Sequence, residues 1–160
     1  PHESTTSDFD TRVRLAILRG FVDGGPTPSA ASVAAALGAG RDETAAAFDR
    51  LAAGRAIVLA RGTREIVMSA PFAGQPTGFV VRVGAQSYDV NCIWDALGVP
   101  AMLAGASGAP VDADVSTMCA DCGAALALRV RDGDVAAEPP STVVHFAVPA
   151  ARWWADIVFT

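Results

Sequence analysis

The run Ser87-Tyr88-Asp89-Val90-Asn91-Cys92-Ile93-Trp94-Asp95-Ala96-Leu97-Gly98-Val99-Pro100 reads as a helix carrying a thiol, an indole and a carboxylate close together. Residues three apart share a helix face, so the Cys92 sulfur and the Asp95 carboxylate are expected to point into the same space. The thiolate is the form of cysteine that binds soft metals and attacks electrophiles, and a neighbouring carboxylate can take or return its proton. Trp94 supplies apolar bulk that would keep water out, and Tyr88 either lines the same pocket or packs. Asp89 serves equally well as a helix cap or as a site acid. Spacing alone also fits a plainer arrangement, with Cys92 as a small buried apolar residue and Asp95 as a solvated helix charge.

Working outward, residues 79–83 (Phe-Val-Val-Arg-Val) read as a strand before this helix. After it, residues 111–116 and 124–130 read as paired strands around Met118-Cys119-Ala120-Asp121-Cys122-Gly123. Residues 142–148 read as a further strand, leading into a short helix over 150–156. On that helix the adjacent Trp153 and Trp154 send one ring to the core and leave the other for an interface. His145 faces the surface or a pocket.

On the other side, residues 11–22 place Val13, Leu15, Ile17, Leu18, Phe21 and Val22 mostly at spacings of three and four, the pattern of a first helix ended by Gly24-Gly25-Pro26. A second helix is expected from Ser29 to Leu37 and a third over 41–53, separated by Gly38-Ala39-Gly40 and closed by Gly54. Residues 56–60 and 65–69 are β-like and flank Arg61-Gly62-Thr63-Arg64, a hairpin signal. The predicted class is α+β: a polar tail over 1–10, a winged-helix-like domain over 11–72, and a small mixed α/β domain over 73–160. The boundary is placed at the connector Pro71-Phe72-Ala73-Gly74-Gln75-Pro76-Thr77-Gly78.

All twelve basic residues are arginine, and the seventeen acids leave a net charge of -5, which argues against broad nonspecific binding of nucleic acid. Arg12, Arg14, Arg19, Arg41, Arg50, Arg55, Arg61 and Arg64 form a local excess over Asp23, Asp42, Glu43 and Asp49 that permits DNA contact. The helix in the recognition position, from Arg41 to Arg50, nevertheless lacks the Asn and Gln side chains that read bases and sets acids beside its arginines. DNA is therefore not the expected partner, and the helical domain is expected to pack against and cover the rest. No apolar run approaches the roughly 20 residues a membrane helix needs, and Pro1 to Asp8 is too polar for a signal peptide, so the cytoplasm is the expected location. Three cysteines without a secretory signal point to thiols kept for metal or redox chemistry rather than to a disulfide framework.

The order of a helical domain, a strand, Tyr88 to Leu97 with Pro100-Ala101-Met102-Leu103 behind it, and then Val115-Ser116-Thr117-Met118-Cys119-Ala120-Asp121-Cys122-Gly123 resembles the alkylmercury (organomercurial) lyase family over nearly the whole chain. The most specific piece is aromatic-x-x-x-Cys-x-x-Asp-x-Leu followed by Pro-Ala, with a downstream Ser-x-x-Cys turn. The resemblance implies that Cys92 attacks the mercury of an R–Hg bond and that Asp95 shuttles a proton to the departing carbon. The resemblance further implies release of hydrocarbon and Hg(II) without an organic cofactor, with a small organometallic substrate as partner. Soft thiolates select soft metals, and a carbanion leaving mercury needs an acid nearby, so the implied roles are chemically sensible.

Cys119 matches a family cysteine regarded mainly as structural, and Cys122 has no counterpart there. Together they form a Cys-x-x-Cys knuckle, either half of a zinc site or a dithiol that receives Hg2+ or another soft ion. Family members carry a second catalytic cysteine just beyond the stretch that ends here at Ile157-Val158-Phe159-Thr160. The expectation is therefore a truncated or cleaved chain, with a C-terminal remainder or second chain supplying that thiol. Otherwise Cys92 would pair with Cys119 or Cys122. Two further readings are a winged-helix regulator sensing a soft metal through Cys92, Cys119 and Cys122, and a lyase-like enzyme acting on another carbon–heteroatom bond.

Overall fold

Apolar residues four apart, Val13, Ile17 and Phe21, turn one face of α1 (Asp8–Val22) into the core. In the computed structural model, which describes residues 8–146 and 148–157, α1 is followed by α2 (Ala30–Leu37) and α3 (Arg41–Ala53). Ser29 and Ser32 close a capping box at the start of α2, and Gly38 ends it in the left-handed conformation that glycine adopts without strain. The expected polar tail is shorter than its ten residues, because α1 already begins at Asp8; residues 1–7 lie outside the described residues. Asp10 is only 5 % exposed and accepts two hydrogen bonds from Arg50, Nε to Oδ2 at 3.0 Å and Nη2 to Oδ1 at 2.6 Å. A carboxylate withdrawn from water needs such a partner, so this end of the chain is built into the helical unit.

Strands β1 (Val58–Leu59), β2 (Ile66–Ser69) and β3 (Phe72–Ala73) form an antiparallel sheet in that order. The connector expected from Pro71 therefore begins as a third strand. Just beyond it, a Cβ on Gly74 would lie 1.8 Å from the Ile66 carbonyl oxygen, so only glycine lets the chain pass there.

The second sheet, β4 (Val80–Val83), β5 (Gln86–Asp89), β6 (Ala113–Met118), β7 (Ala125–Arg131) and β8 (Asp134–Glu138), runs in the order β5-β4-β6-β7-β8 with every pairing antiparallel. Two strands here replace what the sequence led us to expect. Ser87 to Asp89 are not helical: they lie in β5, where the alternation that buries Tyr88 and then Val90 wins, and α4 (Ile93–Ser107) starts only afterwards. β8 was not anticipated, although Asp132-Gly133, both at positive φ, makes the two-residue hairpin that joins it to β7.

The strand expected over 142–148 does not form among its described residues; Ala147 lies outside them. Pro139 and Pro140 interrupt the chain, and Thr142 folds back onto the Pro139 carbonyl through both its N–H, at 3.0 Å, and its hydroxyl, at 2.7 Å. The short helix expected after it is a 3-10 helix, Ala150–Ala155. Of the apolar end from Ile157, residues 158–160 lie outside the described residues.

One buried cluster runs from Val13, Ile17 and Phe48 through Phe72 to Val81, Val90, Val99 and Val115, across the expected boundary. Phe72 is its hinge: its ring stacks on Phe21 at 5.3 Å and tilts against Tyr88 at 5.5 Å. Tyr88 thus packs, and its hydroxyl donates to the Val22 carbonyl at 3.1 Å, tying β5 to the end of α1. Among the described residues no helix is long and apolar enough to cross a membrane.

Candidate active site

β5 runs almost directly into α4, with Asn91 and Cys92 between them and Asp95 in the first turn of the helix. Cys92 is not inside the helix but is its N-cap, with extended φ -159° and ψ -179°, while its carbonyl accepts the first helical bond from the Ala96 N–H at 2.9 Å. An N-cap side chain stands over the amides of the first turn. The convergence of Cys92 with Asp95 therefore comes from cap geometry rather than from the i, i+3 face of a helix. Both residues line one cavity of about 220 Å³.

Asp95 is held in place by a residue the sequence did not single out. Asn91 Nδ2 donates to Asp95 Oδ2 at 2.8 Å and faces the carbonyls of Pro71 and Phe72 at 3.2 and 3.3 Å. The amide thereby ties the carboxylate to the turn between β2 and β3. Its spacing four residues before Asp95 was the available signal; its backbone partners, some twenty residues upstream, were not visible from pattern.

Burial pushes the Cys92 thiol above its ordinary pKa; the N–H groups of Asp95 and Trp94 pull it back, while the charge of Asp95 adds to the rise. Burial also lifts the Asp95 carboxyl, against the opposing hydrogen bond from Asn91. The pair therefore favours its protonated forms more than the same groups would in water.

The opposite wall comes from the N-terminal part of the chain: Ala56, Ile57 and Val58 around β1, and Met68 of β2. Trp94 lines the cavity but is 66 % exposed, so it forms rim rather than interior and excludes less water than expected. Its ring meets Phe146 edge-on at 6.4 Å; Phe146 lies 5.6 Å from Trp153, whose Nε1 donates to the Val148 carbonyl at 2.7 Å. Trp153 and Trp154 both reach the cavity, where one had been expected in the core, and the Arg55 guanidinium sits 5.4 Å over the Trp154 ring. Tyr88 does not line this cavity, and His145 is exposed.

The three thiols are not gathered into one metal set. Cys119 and Cys122 lie in the turn between β6 and β7, away from the lining of the Cys92 cavity. Among the described residues no three His, Cys, Asp or Glu side chains group as metal ligands. The physical reason is the hairpin itself, which closes on its own backbone and holds its thiols at its tip. There, the N–H groups of Cys122 and Asp121 hold the Cys119 thiol below its usual range.

A family model described as alkylmercury lyase matches residues 72–160, more than half of the chain. The crystal structure of the mercury-bound form of MerB2 is similar, with a TM-score of 0.68 over 86 % of this chain at 20 % identity. The chain spans 64 % of that protein's length, and at this identity the likeness shows a shared fold. No curated protein matches the chain. With Cys92 and Asp95 both inside the matched segment, the chain belongs to the alkylmercury lyase family.

Proposed function

We propose that this protein is an organomercurial lyase that protonolyses a carbon–mercury bond with Cys92 and Asp95. The observation that carries it is the thiol at the α4 N-cap sharing one mostly apolar cavity with a carboxyl fixed by Asn91. At neutral pH the raised Cys92 group is a thiol. When its sulfur bonds to the mercury of R–Hg+, the thiol proton passes to Asp95, which burial has made a better base than an ordinary carboxylate. The protonated Asp95 then delivers that proton to the carbon. R–H leaves with the electron pair of the C–Hg bond, Asp95 is again a carboxylate, and Hg(II) remains on the Cys92 sulfur. Mercury is substrate and product here, and the apolar walls from Ile57, Val58 and Met68 suit the organic group.

In this reading residues 8–73, three helices and a small sheet, are a winged-helix-like unit whose task is to wall the cavity rather than to read DNA. Reduced thiols fit a reducing compartment such as the cytoplasm. The test is direct: the full chain, given phenylmercury ion and excess thiol in D2O, is expected to release benzene bearing one deuterium, measured by headspace mass spectrometry. Release no faster than in a thiol-only control ends the proposal.

Asn91 acts here as a positioning residue. Asn91→Leu is expected to lower the rate by roughly 10²-fold through misplacement of the carboxyl. Because the lost hydrogen bond was the one lowering the Asp95 pKa, the limb of the pH–rate profile set by Asp95 should also move to higher pH. A lower rate with an unmoved profile would assign Asn91 a purely structural role.

A further inference from the structure

Outside the Cys92 cavity, the tip of the β6–β7 hairpin presents two thiols on a backbone closed around them. The Cys119 N–H donates to the Ala124 carbonyl at 2.8 Å and the Gly123 N–H to the Cys119 carbonyl at 2.9 Å. Gly123, directly after the second cysteine, takes φ +71°, a conformation glycine adopts at little cost and which the tight turn requires. Cys119 and Cys122 stand three residues apart within this closed turn, so both thiols are presented at one tip. Both cysteines are free, Cys119 half-buried and Cys122 exposed. This places two soft donors on one tight turn with an open approach from solvent.

We propose that Cys119 and Cys122 form a second metal site, a two-thiolate clamp for a soft, two-coordinate cation such as Hg(II), separate from the Cys92 cavity. The ligand count selects the cation. Among the described residues no third His, Cys, Asp or Glu joins the two thiols, whereas a structural zinc site wants four ligands. Two thiolates with no hard donor suit a thiophilic ion. Binding is an exchange without redox change: two S–H bonds are lost, two S–Hg bonds form, and two protons go to solvent.

The experiment uses the full chain carrying Cys92→Ser, so that only the hairpin thiols remain, titrated with mercuric chloride in the absence of any organomercurial. Because no carbon–mercury bond is offered, its outcome does not depend on the lyase reading. One Hg(II) per chain is expected, with loss of both titratable thiols, sulfur-to-mercury charge-transfer absorption, and no change of oligomeric state. Adding Cys122→Ser to the Cys92→Ser chain should weaken retention of Hg(II) against a competing monothiol by at least about tenfold, since the second thiolate no longer binds intramolecularly. Equal retention by the two chains overturns the site, as does one mercury bridging two chains. Zinc-driven dimerisation that consumes the same thiols also overturns it, by assigning the hairpin to a shared four-thiolate centre.

Discussion

Cys92→Ser is expected to abolish carbon–mercury cleavage while leaving the protein as stable as before or slightly more so. The rate should fall by roughly 10⁴-fold or more, on the scale seen when a nucleophile is removed. A hydroxyl is a hard donor with little affinity for mercury, and its proton is far less available than that of a thiol. Stability moves the other way because of where the residue sits. Serine is among the preferred N-cap residues, whereas the amides of Trp94 and Asp95 act on the Cys92 sulfur without forming a full capping hydrogen bond. The hydroxyl can accept from the amide of Trp94 or Asp95, a gain of up to about 1 kcal/mol. Hydrocarbon release and urea denaturation, measured on the same preparation, check both halves. Cleavage at the parent's rate would remove Cys92 from the chemistry. Lost cleavage together with a large loss of stability would instead make Cys92 a packing residue.

That a capping position holds a thiol explains why helical spacing led, by an imperfect route, to two residues that share a cavity. Helical spacing predicted that Cys92 and Asp95 meet, but the helix begins only at Ile93, one residue after Cys92, and a strand occupies Ser87 to Asp89. The first three helices were legible because Ser29, Gly38, Gly40 and Gly54 mark their ends and the apolar residues repeat at helical spacing. Strand β8 was missed although Asp132-Gly133 is a hairpin signal, since residues 134–138 carry little of the β-branched, alternating pattern that announces a strand. The opposite error befell residues 142–148, where a β-like run has two prolines before it and a turn onto Pro139. What no local pattern could show is the closing of the site. Asn91 depends on carbonyls of the turn before β3, and the two tryptophans of the 3-10 helix reach a cavity whose far wall is β1 and β2. The roles proposed for Cys92 and Asp95 rest on resemblance; the geometry adds that the two line one cavity.

Asp95→Asn is expected to lower cleavage by roughly 10²–10⁴-fold, the range for loss of a general acid, and to raise stability at neutral pH. The second effect follows from linkage. The Asp95 carboxyl has a higher pKa in the folded chain than its ordinary value of 3.8, because burial penalises its charge. The folded protein therefore holds this proton more tightly than the unfolded chain does. Stability falls as pH rises from the unfolded value through the folded one, and above that window the buried carboxylate is a standing cost. An amide of the same shape carries no charge to desolvate and can still accept the hydrogen bond from Asn91 Nδ2 that now spans 2.8 Å. The stability difference between variant and parent should be small below the unfolded pKa, grow with pH across the window, and level off above it. Denaturation curves collected across that range read the shape directly. A variant less stable than the parent at neutral pH would mean that the Asp95 carboxylate is solvated or paired better than its burial indicates, and the proton relay would lose its basis. A variant that is more stable and inactive would show a group kept at a cost to the fold for the proton it carries.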